Sequence, residues 1–286
     1  MSLRAELRLL TGPPTEVVDG IAVTRTGRDP AAAPTLLLVH GVGAARLVWA
    51  PVLAPLAARY QVIAVDLPGH GASAPLPPGA DAGCPALAAT VARVLARLGV
   101  ERPHVVGNSL GGWIALELAA DGAAASVTGL APAGLRTLPG EPNPVLHANR
   151  RAARLAGRLG EIAAANAVVR RVTFSSGSAD PAAIDAGLAR GVVHAMRTST
   201  GYEAMIAATR HITFDRGPQV RVPACVVFGD DDRILPAPEN QHREVAPPGA
   251  RWVVVPRCGH APMWDAPERT VELVDETVRA ATSAAA

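Results

Sequence analysis

Six short apolar runs recur along this chain: Thr35-Leu-Leu-Leu-Val, Gln61-Val-Ile-Ala-Val, His104-Val-Val-Gly, Val127-Thr-Gly-Leu, Ala224-Cys-Val-Val-Phe and Arg251-Trp-Val-Val-Val. They are rich in branched residues and too continuous for strands with one face in water, so each reads as a strand buried on both sides. Helix-length segments lie among them, around Leu47 to Arg59, Pro85 to Leu98, Pro238 to Val245 and Pro267 to Ala281, and Ala280 to Ala286 reads as a fraying helix end. Strand alternating with helix predicts an α/β fold, a mainly parallel sheet with helices on both faces. Ahead of this pattern, Glu16 to Thr24 reads as a β segment whose Asp19-Gly20 pair signals a hairpin turn.

One interval breaks the alternation. From Leu135 to Arg216 no strand pattern occurs, and the segment reads as helices separated by Gly, Pro and Ser breaks. The expected organisation is a core of residues 1–134 and 217–286 with a helical cap or lid inserted at 135–216, whose last helix could belong to the core. The insertion is basic, with eleven Arg against six Asp or Glu, and most of those arginines read as solvated surface.

Composition narrows the chemistry. Lysine is absent and all 27 basic residues are arginine, which excludes a Walker lysine, a Schiff-base lysine and a pyridoxal site. A net charge of +2 with no dense basic run argues against nucleic acid. The charges in Met1-Ser-Leu-Arg-Ala-Glu-Leu-Arg leave no apolar core for a signal peptide, and no uncharged stretch is long enough to span a bilayer, so a cytoplasmic protein without a membrane partner is expected. The three cysteines, Cys84, Cys225 and Cys258, have no metal-like spacing; no metal site and no cofactor are expected.

Between the run at His104 and the apolar segment Trp113-Ile-Ala-Leu-Glu-Leu-Ala-Ala lies Gly107-Asn-Ser-Leu-Gly-Gly112, a serine fenced by glycines in a strand, turn and helix order. This is the context of a nucleophile elbow, in which the serine projects above the sheet and the N–H of Leu110 at the helix start points where negative charge would develop. A serine needs a base and an orienting acid. Candidates stand at two later strand ends, Asp230-Asp231-Asp232 after Val226-Val-Phe-Gly and His260 after Val253-Val-Val-Pro, in the order Ser, Asp, His. His40-Gly41-Val42-Gly43 follows the first run, where the N–H of Val42 could supply the second oxyanion donor.

Five motifs in order, H-G-x-G at 40–43, Asp66-Leu-Pro-Gly-His-Gly-Ala-Ser, G-N-S-L-G-G, G-D-D-D-R-I-L-P at 229–236 and G-H-A-P-M-W-D-A-P-E at 259–268, resemble the α/β-hydrolase superfamily over nearly the whole chain. The resemblance implies an eight-stranded, mainly parallel sheet with a helical cap, and a triad of Ser109, Asp232 and His260. Asp232 is preferred because members usually place the acid three residues after the glycine; Asp230 and Asp231 remain alternatives. It implies an oxyanion hole at Val42 and Leu110, and a pocket drawing on Gly43, Asn108, Trp113 and Trp264, with Trp49 a further aromatic candidate and His147, Arg150, His194 and Arg197 as polar candidates. His40, Asp66 and His70 read as loop-shaping, and Cys258 and Cys225 as core.

The expected activity is hydrolysis of an ester, lactone or thioester of a small to medium organic substrate through an acyl-enzyme, without cofactor; a homo-oligomer is compatible with the sequence. A second expectation is carbon–carbon bond hydrolysis of a vinylogous diketone, since several motifs are similar to the meta-cleavage product hydrolases, although Ala261 stands where those usually carry Trp. Epoxide hydrolase and dehalogenase relatives use an Asp nucleophile, against which Ser109 counts. A non-catalytic ligand receptor on the same fold is the third reading.

Overall fold

A computed structural model describes residues 2–285. In chain order it runs α1 (Leu3–Thr11), β1 (Glu16–Val18), β2 (Ile21–Gly27), β3 (Thr35–Val39), a 3-10 turn (Arg46–Trp49), α2 (Ala50–Ala57), β4 (Gln61–Val65), α3 (Cys84–Arg97), β5 (His104–Asn108), α4 (Leu110–Ala120) and β6 (Ser126–Leu130). Then come α5 (Pro144–Ala163), α6 (Ala167–Thr173), α7 (Ala186–Thr198) and α8 (Tyr202–Thr209), and finally β7 (Ala224–Gly229), β8 (Arg251–Val255), α9 (Pro262–Asp265) and α10 (Pro267–Ala285).

All eight strands form one sheet in the order β1-β2-β4-β3-β5-β6-β7-β8. From β4 to β8 every pairing is parallel, and β1 and β2 add an antiparallel edge. The edge hairpin turns at Asp19 and Gly20, both with positive φ (49° and 80°), the backbone that a two-residue primed turn needs. The apolar runs are continuous because the sheet has a core on each side: Leu36, Leu38 and Val106 pack with α1, α2, α7 and α10, while Leu37, Val39 and Val105 pack with α3 and α4. Every side chain from Leu36 to Val39 is fully buried, so these strands have no wet face to mark with polar residues.

Chain order reverses between β3 and β5, which are hydrogen-bonded neighbours although β4 and α3 separate them in sequence. The loops leaving these two strands therefore meet at a topological switch point, the usual place for a site in an open α/β sheet. The four helices α5 to α8 leave after β6 and the chain returns to the adjacent β7.

Three elements differ from the sequence reading. Pro238 to Val245 is not an α-helix but turns ending in a 3-10 turn at Arg243–Val245: the His242 N–H leaves the local ladder for Leu135 O (2.9 Å), and Pro236 and Pro238 have no N–H to offer. Leu3–Thr11 is a helix that burial of Leu7 and Leu10 holds against the core. The alanine-rich end is part of α10, helical to Ala285, with Ala286 outside the described residues.

Candidate active site

Ser109 links β5 to α4 with φ 56° and ψ −119°, a conformation that costs a non-glycine residue about 1–3 kcal/mol and persists only where its surroundings enforce it. Here they do. Its N–H donates to Leu130 O (2.9 Å), and its carbonyl accepts from Trp113 N (3.1 Å) and Ala133 N (2.9 Å). A Cβ on Gly107 would lie 2.0 Å from Gly111 O, and one on Gly111 would lie 2.1 Å from Val39 O, so the turn closes only because both are glycine. The Ser109 hydroxyl is half-buried and makes no hydrogen bond among the described residues, the imidazole of His260 included.

His260 and Asp232 stand at the ends of the loops after β8 and β7, and both are buried. His260 Nδ1 lies 2.9 Å from Asp232 Oδ2, while Asp232 Oδ1 accepts from the N–H groups of Ile234 (2.9 Å) and Leu235 (2.8 Å). Burial raises the carboxyl, but the imidazole and the two N–H groups outweigh it and hold Asp232 below its usual range. The neighbouring acids are occupied elsewhere: Asp230 accepts from Cys258 N (3.2 Å), and the half-buried Asp231 forks onto Arg233. Asn108, next to Ser109, donates from Nδ2 to His260 O (3.0 Å) and Leu130 O (3.1 Å), tying the histidine loop to the serine turn.

The loop after β3 approaches from the other side. A Cβ on Gly41 would sit 3.0 Å from Ser109 Cβ and 3.5 Å from its Oγ. The N–H groups of Val42 and Leu110 have no acceptor among the described residues, whereas Gly43 N–H donates to His70 Nε2 (3.0 Å). A reciprocal bond runs back, Leu67 N–H to His40 Nε2 (2.9 Å), so the loops 40–44 and 66–73 are strapped together by two buried imidazoles 5.4 Å apart. Each accepts at Nε2, so each must carry its proton at Nδ1, where Gly41 O (2.7 Å) and Pro68 O (3.0 Å) receive it. Burial keeps both neutral, lowering His40 to about 4 and His70 to about 3. Asp66 completes the strap by accepting from Arg46 N (2.8 Å), Arg46 Nε (2.9 Å) and Ala72 N (2.9 Å).

Above these loops sit the helices of the insertion. A Cβ on Gly43 would meet Met196 Sδ at 2.6 Å and Tyr202 Cε2 at 3.0 Å, and Thr200 N–H donates to Gly69 O (2.7 Å). A cavity of about 440 Å³ opens between α1 and α7, lined by Leu10, Arg46, Glu161, Arg190 and His194 among others, but by none of Ser109, Asp232 or His260.

This arrangement has counterparts. The model of the alpha/beta hydrolase family matches residues 36–273. The chain belongs to that family. The chain is 32% identical over 255 residues to the "dihydrolipoyllysine-residue acetyltransferase component of acetoin cleaving system" of Cupriavidus necator, covering 85% of this chain but only 63% of that relative's length. It is 33% identical over 195 residues to "epoxide hydrolase EphH" of Mycobacterium tuberculosis, covering 66% of this chain and 91% of the relative. Among solved structures, a bacterial membrane phospholipase A superposes with a TM-score of 0.74 at 27% identity, covering 98% of this chain and 89% of that one.

Several of the expected pocket residues spend their side chains on other contacts. Trp113 is 1% exposed, packed in the core with its indole N–H on Glu117 (2.9 Å), so it is a packing residue and its placement at the pocket is corrected. Trp49 is likewise fully buried. Trp264 ties α9 to the 3-10 turn through Val48 O (3.0 Å) and meets Phe174 edge-on, and Asn108 spends its amide on the backbone. Arg150 is buried among α5, α7 and α8, His194 and Arg197 pair with Glu161, and His147 is exposed. Met196 and Tyr202, which do reach the loop at Gly43, carry no motif; only the fold identifies them. Burial pushes the Cys258 thiol up to about 12, as suits a core cysteine.

Proposed function

We propose that this hydrolase cleaves an ester, lactone or thioester of a small to medium organic acid through an acyl-enzyme on Ser109. The observation that carries this reading is the Asp232–His260 bond: a carboxylate on Nδ1 fixes the tautomer and leaves Nε2 as the base. As Ser109 Oγ attacks the carbonyl carbon, His260 Nε2 takes its proton, and the oxyanion is held by the free N–H groups of Val42 and Leu110. His260 then gives the proton to the departing alkoxide or thiolate. Water attacks the acyl carbon with His260 as base, releasing the acid and restoring the serine.

The insertion acts as a cap in this reading, with Met196 and Tyr202 over the oxyanion loop bounding the acyl space. An acetyltransferase and a phospholipase among the relatives support acyl chemistry. The relative named an epoxide hydrolase does not redirect the proposal, because epoxide opening through an ester intermediate takes a carboxylate where Ser109 stands.

The test is intact mass after incubation with a fluorophosphonate, for the wild type and Ser109→Ala, followed by a panel of esters, thioesters and a vinylogous diketone. One adduct on the wild type, absent from the variant, with ester or thioester turnover lost in parallel, is expected. Turnover retained by Ser109→Ala, or tight ligand binding without turnover by a folded wild type, would sink the proposal.

A further inference from the structure

Five of the eight large apolar side chains that stand exposed among the described residues lie in one stretch of 18, exposed by 60 to 77%: Leu155 on α5 ahead of its break at Gly157 (φ 56°, ψ −143°), Leu159 and Ile162 on α5 beyond that break, and Val168 and Val172 on α6. Exposed aliphatics scattered singly need no explanation, but such a concentration marks an interaction surface. They do not face outward for want of an inward side. The inner positions are taken by Arg150 and Ala153 on α5, and by Arg170, whose guanidinium donates to the carbonyls of Ala165 (2.6 Å) and Ala182 (2.9 Å).

Charge identifies the occupant. Arg158 and Arg171 in that stretch and Arg151 one turn ahead of it are exposed and have no ion-pair partner among the described residues; Arg154, also just ahead, pairs only with Glu203. The one acid between 151 and 172, Glu161, is already held by Arg197 (2.7 Å) and His194 (3.1 Å). A second copy docking through the same face about a two-fold axis would set arginine against arginine with no acid between them. An anionic lipid surface accepts both components, aliphatic side chains at the acyl boundary and guanidinium groups at the phosphates.

We propose that the outer face of α5 and α6 docks this protein onto an anionic lipid surface. No described helix is long and apolar enough to cross a membrane, so the attachment is peripheral. The sequence predicts no membrane partner because it has no apolar span, and surface docking needs none. The proposal stands independently of the chemistry at Ser109.

The test is co-sedimentation of the full chain with vesicles of phosphatidylcholine alone and of phosphatidylcholine with phosphatidylglycerol. Binding to the anionic vesicles only, weakened in about 0.5 M salt, is expected. Leu155→Ser with Leu159→Ser, and separately Arg151→Glu, Arg158→Glu and Arg171→Glu together, should each lower the partition coefficient, the charge reversal by roughly a hundredfold. All five positions are exposed, and unchanged circular dichroism checks the fold. Ser109→Ala should bind as the wild type does, which separates this result from any failure of the catalytic reading. No binding to anionic vesicles overturns the proposal, as do variants that bind unchanged. So does a loss of dimer by light scattering in the serine variants without vesicle binding, which would make the face a contact between copies.

Discussion

At the scale of single residues, the oxyanion donor proposed at Val42 is set beside a neighbour that is held. His70 takes the Gly43 N–H, which fixes the peptide that follows Val42, and the Val42 N–H itself has no acceptor among the described residues. His70→Leu removes the acceptor but keeps the bulk; kcat should fall roughly 10–100-fold with KM less affected, a fraction of what loss of a whole oxyanion donor costs, and His70→Gln should recover part of it. The same imidazoles make stability depend on pH. His40 and His70 are lowered to about 4 and about 3, so between pH 6.5 and those values the unfolded chain binds more protons than the folded one. Their contribution is complete above pH 6.5 and is lost as pH falls through this window, at about 1.4 kcal/mol for each tenfold difference in proton affinity between the folded and unfolded chain. Urea midpoints measured from pH 7.5 to 4 should decline, less steeply for His70→Leu; a midpoint that rises on acidification would contradict the strap. The turn at Ser109 and the pairing of Asp232 with His260 were legible in the sequence because these residue types stand beside glycines and strand ends. Trp113 misled because an aromatic beside a motif has the same letter whether it lines a pocket or fills a core.

Among elements, the buried cation Arg150 ties three helices of the segment between β6 and β7 together. The guanidinium of Arg150 on α5 donates to the carbonyls of Met196 and Ser199 at the end of α7, pairs with Glu203 on α8 (3.1 Å) and lies 5.0 Å from the Tyr202 ring centroid. Arg150→Ala would leave those carbonyls buried without a donor, at a cost of roughly 3 kcal/mol. Because the loss falls on helices outside the sheet, the expected result is faster proteolysis within residues 140–200 with little change in protection of the strands by hydrogen exchange. Strand positions were readable to within a residue or two, since a run buried on both faces has no polar interruptions. Helices were less so. Leu3, Leu7 and Leu10 already had helical spacing, but their charged neighbours spoke only to targeting, and the run from Pro238 failed because its donors bond across the chain to Leu135. That Arg150 is buried, alone among its exposed neighbours Arg151 and Arg154, no pattern of charge could have told.

For the whole molecule, β6 ends at Leu130 and β7 begins at Ala224, yet the two are hydrogen-bonded neighbours. Everything between them leaves the sheet and comes back to the same seam. Ser109 is borne by the chain before this excursion, and Asp232 and His260, its proposed acid and base, by the chain after it. A break in the exposed segment at 137–141 would divide the polypeptide into two pieces, neither owning all of Ser109, Asp232 and His260. Segments 1–140 and 141–286, produced separately, should each fail to take up a fluorophosphonate and should regain labelling at Ser109 on mixing; labelling of the first segment alone would show that the serine needs no help from the rest. On the proposed mechanism, reactivity in this architecture is a coincidence signal, raised only when two distant lengths of one ribbon have found each other.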